Sequence, residues 1–225
     1  MDGNGRWAKK RLLNRVKGHE QGADTVRMVV RASRELGISV LTLYAFSTEN
    51  WQRPEAEVKA LMMLLKRFLK SEKQEMLDNN IRLNAIGEVE RLPGSVSTLL
   101  QETMQATENN SGMVLNLALS YGARPEIIRM VRQLSAKVAA GNLQAEEIDE
   151  ETVSTHLYTR NIPDPDLLIR TSGEMRISNF MLWQIAYAEI YITDTLWPDF
   201  NRAEYIKILK DYQERDRRFG KVKNQ

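Results

Sequence analysis

Four short segments hold most of the residues in this chain that could do chemistry. The first, Asp2-Gly3-Asn4-Gly5-Arg6-Trp7, opens the sequence. Its two glycines let backbone N–H groups approach an anion closely, and Arg6 adds a bidentate contact for phosphate oxygens. Asp2 is a hard-oxygen donor of the kind that holds Mg²⁺ against such a phosphate, although an Asn-Gly pair is also an ordinary turn signal. The second segment, Ser47-Thr48-Glu49-Asn50-Trp51-Gln52-Arg53-Pro54, sets hydroxyls, a carboxylate, an amide, an indole and a guanidinium between a strand-like run and a helix start. A helix start favours anions, and Arg53 strengthens that; the plain alternative is a capping loop with Glu49 and Asn50 solvated. In the third, Arg170-Thr171-Ser172-Gly173-Glu174-Met175-Arg176-Ile177-Ser178-Asn179-Phe180, two arginines flank Ser and Gly in a pattern suited to a phosphate pocket or to a solvated loop. The fourth is Glu189, opening the apolar run Ile190-Tyr191-Ile192. A carboxylate there costs free energy unless it is paired or metal-bound. A basic tail, Arg215, Arg217, Arg218, Lys221 and Lys223, reads on its own as a solvated face.

The elements that must position these segments alternate between strand-like and helix-like runs. Helix-like Glu20–Leu36 stops at Gly37, and Ile38–Phe46 follows as a strand. Pro54 suits a first helical turn, and the periodicity predicts a helix from there to about Asp78. Ile81–Ile86 reads as a strand. Val96, Leu99, Leu100 and Met104 are spaced as a helix, and Met113–Leu119 as a strand. Ile127, Ile128, Val131, Leu134 and Val138 mark an amphipathic helix ended by Gly141. A short helix near Glu150–Leu157, a strand Asp166–Arg170, a helix near Ser178–Ala186, a strand Glu189–Thr193 and a helix from about Arg202 to Arg218 complete the chain. This order predicts an α/β fold with a mostly parallel sheet flanked by helices, whose ligands sit just beyond the carboxyl ends of the strands. Within the long central helix, Val58, Leu61, Met62, Met63, Leu64, Leu65, Phe68 and Leu69 are apolar nearly all round. That pattern suits either a helix sandwiched in the core or one wall of a tunnel for a long apolar guest.

Composition narrows the classes further. The 225 residues are 42% hydrophobic and 28% charged, with a net charge of +2. They predict a soluble, cytoplasmic, single-domain protein over residues 1–225 and speak against nucleic-acid binding. The absence of cysteine excludes disulfides, thiolate metal sites and a cysteine nucleophile, and the two histidines, His19 and His156, are too few for a His-rich zinc site. Nucleotide P-loop, dinucleotide, zincin and serine-hydrolase motifs are absent, as is the D-D-x-x-D of trans-type prenyl synthases. Phosphate-binding segments beside an apolar tunnel point to a lipid diphosphate.

Taken together, DGNGRWA (Asp2–Ala8), the Gly18-His19 step, YAFSTENWQRP (Tyr44–Pro54), LIRTSGEMRISNFMLWQ (Leu168–Gln184) and YAEIYITDTLWPDF (Tyr187–Phe200) resemble the cis-prenyltransferases, the bacterial undecaprenyl diphosphate synthases in particular. The resemblance implies a Mg²⁺-dependent condensation, in cis, of isopentenyl diphosphate with an allylic primer such as farnesyl diphosphate, giving a long polyprenyl carrier for cell-wall glycans. It implies that Asp2 holds Mg²⁺ and that Gly3, Asn4, Gly5, Arg6, Arg15 and His19 cradle the allylic diphosphate, with Trp7 near the prenyl chain. Arg170, Arg176, Ile177 and Ser178 are then expected to bind isopentenyl diphosphate, with Glu189 as a second metal contact supplied across a subunit interface. Asn50 is expected to orient the isopentenyl unit, while Ser47, Thr48, Glu49, Trp51 and Arg53 shape the same site and Glu57 holds the loop. The resemblance further implies a homodimer in which Arg218-Phe219-Gly220 reaches across, and a peripheral contact with the inner face of the membrane for product release. Ala45 and Met113 are candidates for the tunnel lining.

Two departures from the family pattern stand out. Family members carry an apolar strand directly before the DGNGRW segment, and this chain begins at Met1. The expectation is that this first central strand is missing here and that an in-frame apolar run precedes Met1 in the gene. Second, Ser120-Tyr121-Gly122-Ala123-Arg124 stands where the family shows Asn-Tyr-Gly-Gly-Arg, which raises a question of local backbone geometry. The rival functional readings are a non-catalytic subunit of the same fold that binds a partner or lipid, and a generic nucleotide-binding α/β protein. Retention of Asp2, Asn50, Arg170, Arg176, Ser178 and Glu189 argues against the first, and the lack of nucleotide motifs against the second.

Overall fold

The computed structural model describes residues 1–216. They form two compact units, one comprising residues 1–32, 164–176 and the chain from Trp183 onward, the other residues 33–163 and 177–182. Both units are built on parallel strands with helices, the α/β class predicted from the alternation.

In the second unit, β1 (Val40–Ser47), β2 (Arg82–Ile86) and β3 (Val114–Tyr121) make a parallel sheet in the order β1-β3-β2. The central strand is buried from Leu115 to Tyr121, as expected of a parallel strand covered on both faces. One polar residue interrupts this apolar strand. Asn116 is fully buried; its Nδ2 donates to Thr42 Oγ1 at 3.2 Å, and its Oδ1 accepts from Asn84 Nδ2 at 2.8 Å. Thr42, Asn116 and Asn84 are also register partners across all three strands, so the polar row locks an alignment that an apolar sheet would specify only by packing. A 3₁₀ turn (Thr48–Gln52) leads from β1 to the long helix α3 (Glu55–Asp78), with Pro54 as its N-cap rather than inside the first turn. α4 (Gly94–Ala106), α5 (Ala123–Ala139) and α6 (Glu150–His156) complete this unit. α3 is not enclosed all round: Met62, Phe68 and Leu69 are buried, Leu61, Leu64 and Leu65 are half-buried, and Met63 is 65% exposed.

In the first unit, α1 (Asn4–Lys10) and α2 (Arg15–Glu35, as far as Ala32) accompany a parallel pair, β4 (Leu167–Arg170) and β5 (Glu189–Ile192), with α7 (Arg202–Gln213). The glycine-rich opening reads in sequence as a turn; from Asn4 it is helical. Its packing explains the Gly18-His19 step. A Cβ on Gly18 would lie 2.1 Å from the Asn4 carbonyl oxygen, and one on Gly22 would lie 2.3 Å from Asn4 Oδ1, so α1 reaches α2 only over a glycine face. The side of α2 beside it is closed by Trp197, whose indole Nε1 donates to the Gly22 carbonyl at 2.9 Å.

One expected element is absent. The stretch Ser178–Ala186 is a series of turns, because Ser178, Asn179 and Met181 have φ of 56°, 61° and 48°. An α-helix of L-residues cannot contain left-handed positions, and apolar spacing does not reveal them. The last helix ends at Gln213, and Arg217, Arg218, Phe219, Gly220, Lys221 and Lys223 lie outside the described residues.

Replacing Asn116 by Ala leaves the half-buried Thr42 and Asn84 without their shared partner. We expect it to lower unfolding stability by about 1–3 kcal/mol, read from urea denaturation midpoints at unchanged slope.

Candidate active site

In the first unit the chain brings the start of the sequence against the end of β4. The Asp2 backbone is clipped there by Thr171, which is buried. Thr171 Oγ1 accepts from the Asp2 N–H at 3.0 Å and donates to the Asp2 carbonyl at 2.9 Å, and the Trp197 N–H reaches the same carbonyl at 3.0 Å. This clamp sets the Asp2 carboxylate, which accepts the Gly3 N–H at 2.8 Å and pairs with Arg170 at 3.0 Å. Arg6 stands 3.8 Å from the same carboxylate, donates to the Ser172 carbonyl at 3.2 Å and pairs with Glu174 at 2.9 Å. Arg176 pairs with the other oxygen of Glu174, and Arg170 donates to the Arg176 carbonyl. Three guanidinium groups from two distant stretches of sequence therefore share two carboxylates in one connected network. Arg15 packs against Gly5, where an added Cβ would come 3.1 Å from its Nε, and His19 lies one turn further along the same face of α2. Trp7 donates its indole N–H to Asp199 at 2.6 Å, and the Arg11 guanidinium covers its ring 4.2 Å from the centroid.

Burial pushes the Asp2 carboxyl up, but hydrogen bonds from Arg170 and the Gly3 N–H, with the charges of Arg170 and Arg6, outweigh it. The group lies below the usual carboxylate range and is ionised at neutral pH. Glu189, half-buried at the head of β5, pairs with Arg215 at 2.7 Å. That pairing meets the cost of a carboxylate in an apolar strand, so the strand itself does not demand a metal at Glu189.

In the second unit the residues Ser47, Thr48, Glu49, Asn50, Trp51 and Arg53 form the turn after β1. Asn50 is not merely solvated: its Oδ1 accepts the Ser47 N–H at 3.2 Å and closes the turn. Trp51 donates its indole N–H to Ser120 Oγ at 2.9 Å, and Arg53 pairs with the buried Glu57 at 3.0 Å, which ties the loop to α3 as expected. Glu49 accepts from Asn179 Nδ2 at 2.9 Å. Ile177 and Ser178 belong to this same unit, in the segment that runs to Leu182. The departures in Ser120-Tyr121-Gly122-Ala123-Arg124 carry no strain at Ala123, which is the first residue of α5 and has no left-handed backbone. Ser120 fills the other altered position as the acceptor for Trp51.

Residues 1–220 match a family model described as "Putative undecaprenyl diphosphate synthase". The chain belongs to this cis-prenyltransferase family. The isoprenyl transferase of Geobacter sulfurreducens is 51% identical over 225 residues, spanning 100% of this chain and 92% of the relative. That of Bacillus subtilis (strain 168) is 49% identical over 222 residues, spanning 99% and 85%. Among solved structures, lavandulyl diphosphate synthase from Lavandula x intermedia, in complex with dimethylallyl diphosphate, aligns at a TM-score of 0.95 and 38% identity, covering 98% of this chain and 95% of that one. The protein is accordingly a prenyl-transferring enzyme acting on diphosphate substrates, which sets aside the non-catalytic and nucleotide-binding readings.

Several residues of this cis-prenyltransferase are not picked out by type and spacing. Thr171 and Ser172 act through main-chain and hydroxyl contacts, and Glu174 looks in sequence like an ordinary loop acid. One of its arginine partners is remote along the chain and the other two residues away, and only the second is visible there. Asn179 reads as one more polar residue in an expected helix. As for metal, the described residues contain no group of three or more His, Asp or Glu able to hold an ion alone. The ionised Asp2 carboxylate is a hard oxygen donor of the kind that would suit Mg²⁺ held jointly with other oxygen ligands.

Because the folded Asp2 lies below its unfolded value, its ion pairs contribute stability that is fully present above roughly pH 4–5 and lost as pH falls through the folded value. The expected result is that Asp2→Asn unfolds more easily than wild type at pH 7. The difference should narrow steadily as urea melts are repeated down to pH 3; a constant difference would contradict this assignment.

Proposed function

We propose that this enzyme condenses isopentenyl diphosphate with an allylic diphosphate of the farnesyl type, in cis and with Mg²⁺, to give a long polyprenyl diphosphate. Undecaprenyl diphosphate, the carrier for cell-wall glycans, is the product expected. The observation that carries this reading is the shared network of Arg6, Arg170 and Arg176 with Asp2 and Glu174. Three fixed cations held by two acids form a site whose internal pairs a strongly anionic diphosphate can replace, since each guanidinium matches phosphate oxygens as well as carboxylate. The dimethylallyl diphosphate carried by the lavandulyl diphosphate synthase relative supports an allylic diphosphate as ligand.

In this reading Gly3, Asn4, Gly5, Arg6, Arg15 and His19 hold the allylic diphosphate, and Arg170, Arg176, Ile177 and Ser178 hold the isopentenyl one. Glu174, paired with both Arg6 and Arg176, keeps one guanidinium of each set in fixed relation to the other. Asp2, with Glu189 as a second contact supplied across a subunit interface, would hold Mg²⁺, which when bound would stabilise negative charge on a leaving diphosphate. The arginines stabilise the same developing negative charge as they exchange their carboxylate partners for phosphate oxygens. Asn50 orients the isopentenyl unit. With its Oδ1 engaged by Ser47 N–H, it offers an amide nitrogen, which is a donor and not a base, so a diphosphate oxygen takes the proton lost as the new bond forms. Trp7 lies beside the prenyl chain. The half-buried row Leu61, Leu64 and Leu65 of α3 is the tunnel wall, where each buried CH₂ favours retention of the growing chain by about 0.8 kcal/mol. The enzyme works as a cytoplasmic homodimer that touches the inner face of the membrane to release product. No helix among the described residues is long and apolar enough to cross a membrane.

The test is incorporation of isopentenyl diphosphate onto farnesyl diphosphate, with and without Mg²⁺, on protein shown to melt cooperatively, with products sized by mass spectrometry. A Mg²⁺-dependent ladder ending at a sharp maximum is expected, and an inert folded protein would overturn the reading. Asp2→Ala should lower kcat by on the order of 10²- to 10³-fold, whereas Arg176→Ala should act mainly by raising KM for isopentenyl diphosphate.

A further inference from the structure

Within the second unit Asn179 joins three stretches of chain that are remote in sequence. Asn179 Nδ2 donates to Glu49 Oε1 at 2.9 Å, in the turn after β1. Its Oδ1 accepts the Arg124 N–H at 2.9 Å, and its carbonyl accepts the Ala123 N–H at 2.8 Å, both at the start of α5. The approach is close. A Cβ on Gly122 would lie 2.7 Å from both Asn179 Nδ2 and Thr48 Oγ1, so only glycine lets the turn, the helix start and the 177–182 segment meet here. The neighbours of Asn179 fix the segment from the other side. Phe180 is buried and stacked on Tyr44 with centroids 4.4 Å apart and planes 14° apart, and it meets the edge of Tyr121 at 6.0 Å.

This bonding supports an otherwise unfavourable backbone. Ser178, Asn179 and Met181 all occupy left-handed conformations, at roughly 1–2 kcal/mol each for residues other than glycine, with asparagine the least penalised. Such a conformation persists only where the surroundings over-determine it. At Asn179 three hydrogen bonds do so, and both side-chain bonds need the amide: a donor toward Glu49 and an acceptor toward Arg124. Glu49 is in turn held as an anion by this donor, its own backbone and the hydroxyls of Ser47 and Thr48, against the effect of partial burial.

We infer that Asn179 is a positioning residue for the isopentenyl diphosphate site, coupling the Thr48–Arg53 loop to the Ile177–Ser178 backbone through Glu49. The inference rests on the reading above, in which Ile177, Ser178 and the turn after β1 belong to the substrate site. Asn179 itself touches no substrate. It sets the φ of Ser178 and the distance of the loop, and thereby the affinity for the second substrate more than the rate of the step.

A double-mutant cycle on the full chain tests this. Asn179→Asp keeps the acceptor for Arg124 but opposes Glu49 with a second carboxylate. On the wild-type background it should raise KM for isopentenyl diphosphate about tenfold, with KM for farnesyl diphosphate and kcat changing less than about threefold. On a Glu49→Gln background the bond re-forms with reversed polarity, the new amide at position 49 donating to the new carboxylate at position 179. There the same substitution should change KM less than about threefold relative to Glu49→Gln alone. Asn179→Gly accepts the left-handed backbone yet loses both side-chain bonds, and should raise KM on either background. Amide hydrogen exchange supplies a readout independent of turnover. Asn179→Asp should lose protection in residues 48–53 and 177–182 together, and Glu49→Gln should restore it. Wild-type KM in Asn179→Gly, or additive effects in the cycle, would overturn the inference. So would coupled exchange without a change in KM, which marks a purely structural bond. If the wild-type enzyme is inert, the functional reading fails, and the positioning role for that reaction falls with it; the exchange data then still decide whether the two segments are coupled.

Discussion

Like charges do not gather without a reason, and the first unit of this protein is organised around three arginines that do. Arg6, Arg170 and Arg176 repel one another, and Arg170 is largely buried, with 16% of its side chain exposed. What holds them is a pair of acids at chosen points. Asp2 lies between Arg170 and Arg6, and Glu174 between Arg6 and Arg176, so each carboxylate is shared. Removing Asp2 would leave the largely buried Arg170 without its carboxylate partner, whereas Arg6 and Arg176 are exposed enough to be solvated. The rest of the unit follows from that constraint. The Thr171 hydroxyl and the Trp197 N–H fix the Asp2 backbone at the end of β4, and α1 is pressed onto a glycine face of α2, which carries Arg15 and His19. Guanidinium groups match carboxylate and phosphate oxygens with one geometry, so the groups paired here are of the type that the proposed diphosphate site requires.

The second unit solves a different problem with neutral groups. Its sheet is parallel and its central strand buried on both faces, so the apolar pattern alone leaves the alignment of strands weakly specified. The Thr42, Asn116, Asn84 row supplies the missing specification, with every member bonded. At the carboxyl ends of those strands, Trp51 to Ser120, Arg53 to Glu57 and Asn179 to Glu49 and Arg124 tie each loop to a neighbouring element. Loops held this way keep functional side chains at fixed positions, a requirement for catalysis by preorganised groups.

Much of this is legible in the residues. Short apolar, β-branched runs and amphipathic spacings mark β1, β2, β3, α3, α4 and α5 within a few residues, since hydrophobic period is a local property of the chain. The motif segments point to a diphosphate-binding enzyme, as the family match bears out. The failures have physical causes. The helix expected over Ser178–Ala186 has the right apolar spacing, but its backbone is decided by long-range bonds to Glu49, Arg124 and Ala123 and by the stacking of Phe180 on Tyr44. Tertiary contacts there outweigh a helical preference of roughly a few tenths of a kcal/mol per residue. Conversely, the helix from Asn4 is hidden behind glycines, Gly3 serving as a left-handed N-cap and Gly5 packing closely on Arg15.

Residue type and order by themselves determined the class of the fold, the absence of any thiol, and which segments concentrate glycine, arginine and hydroxyl groups. These depend on the composition and spacing of neighbours along the chain. Only the tertiary structure decided which groups meet: that Glu174 spans two arginines, that Glu189 is already satisfied by Arg215, that Asn50 closes its own turn, and that Asn179 bridges three segments. Charge compensation and hydrogen bonding act over about 3 Å in space, whatever the separation in sequence. A carboxylate such as Asp2, 168 residues from its arginine, therefore looks unpaired until the chain is folded.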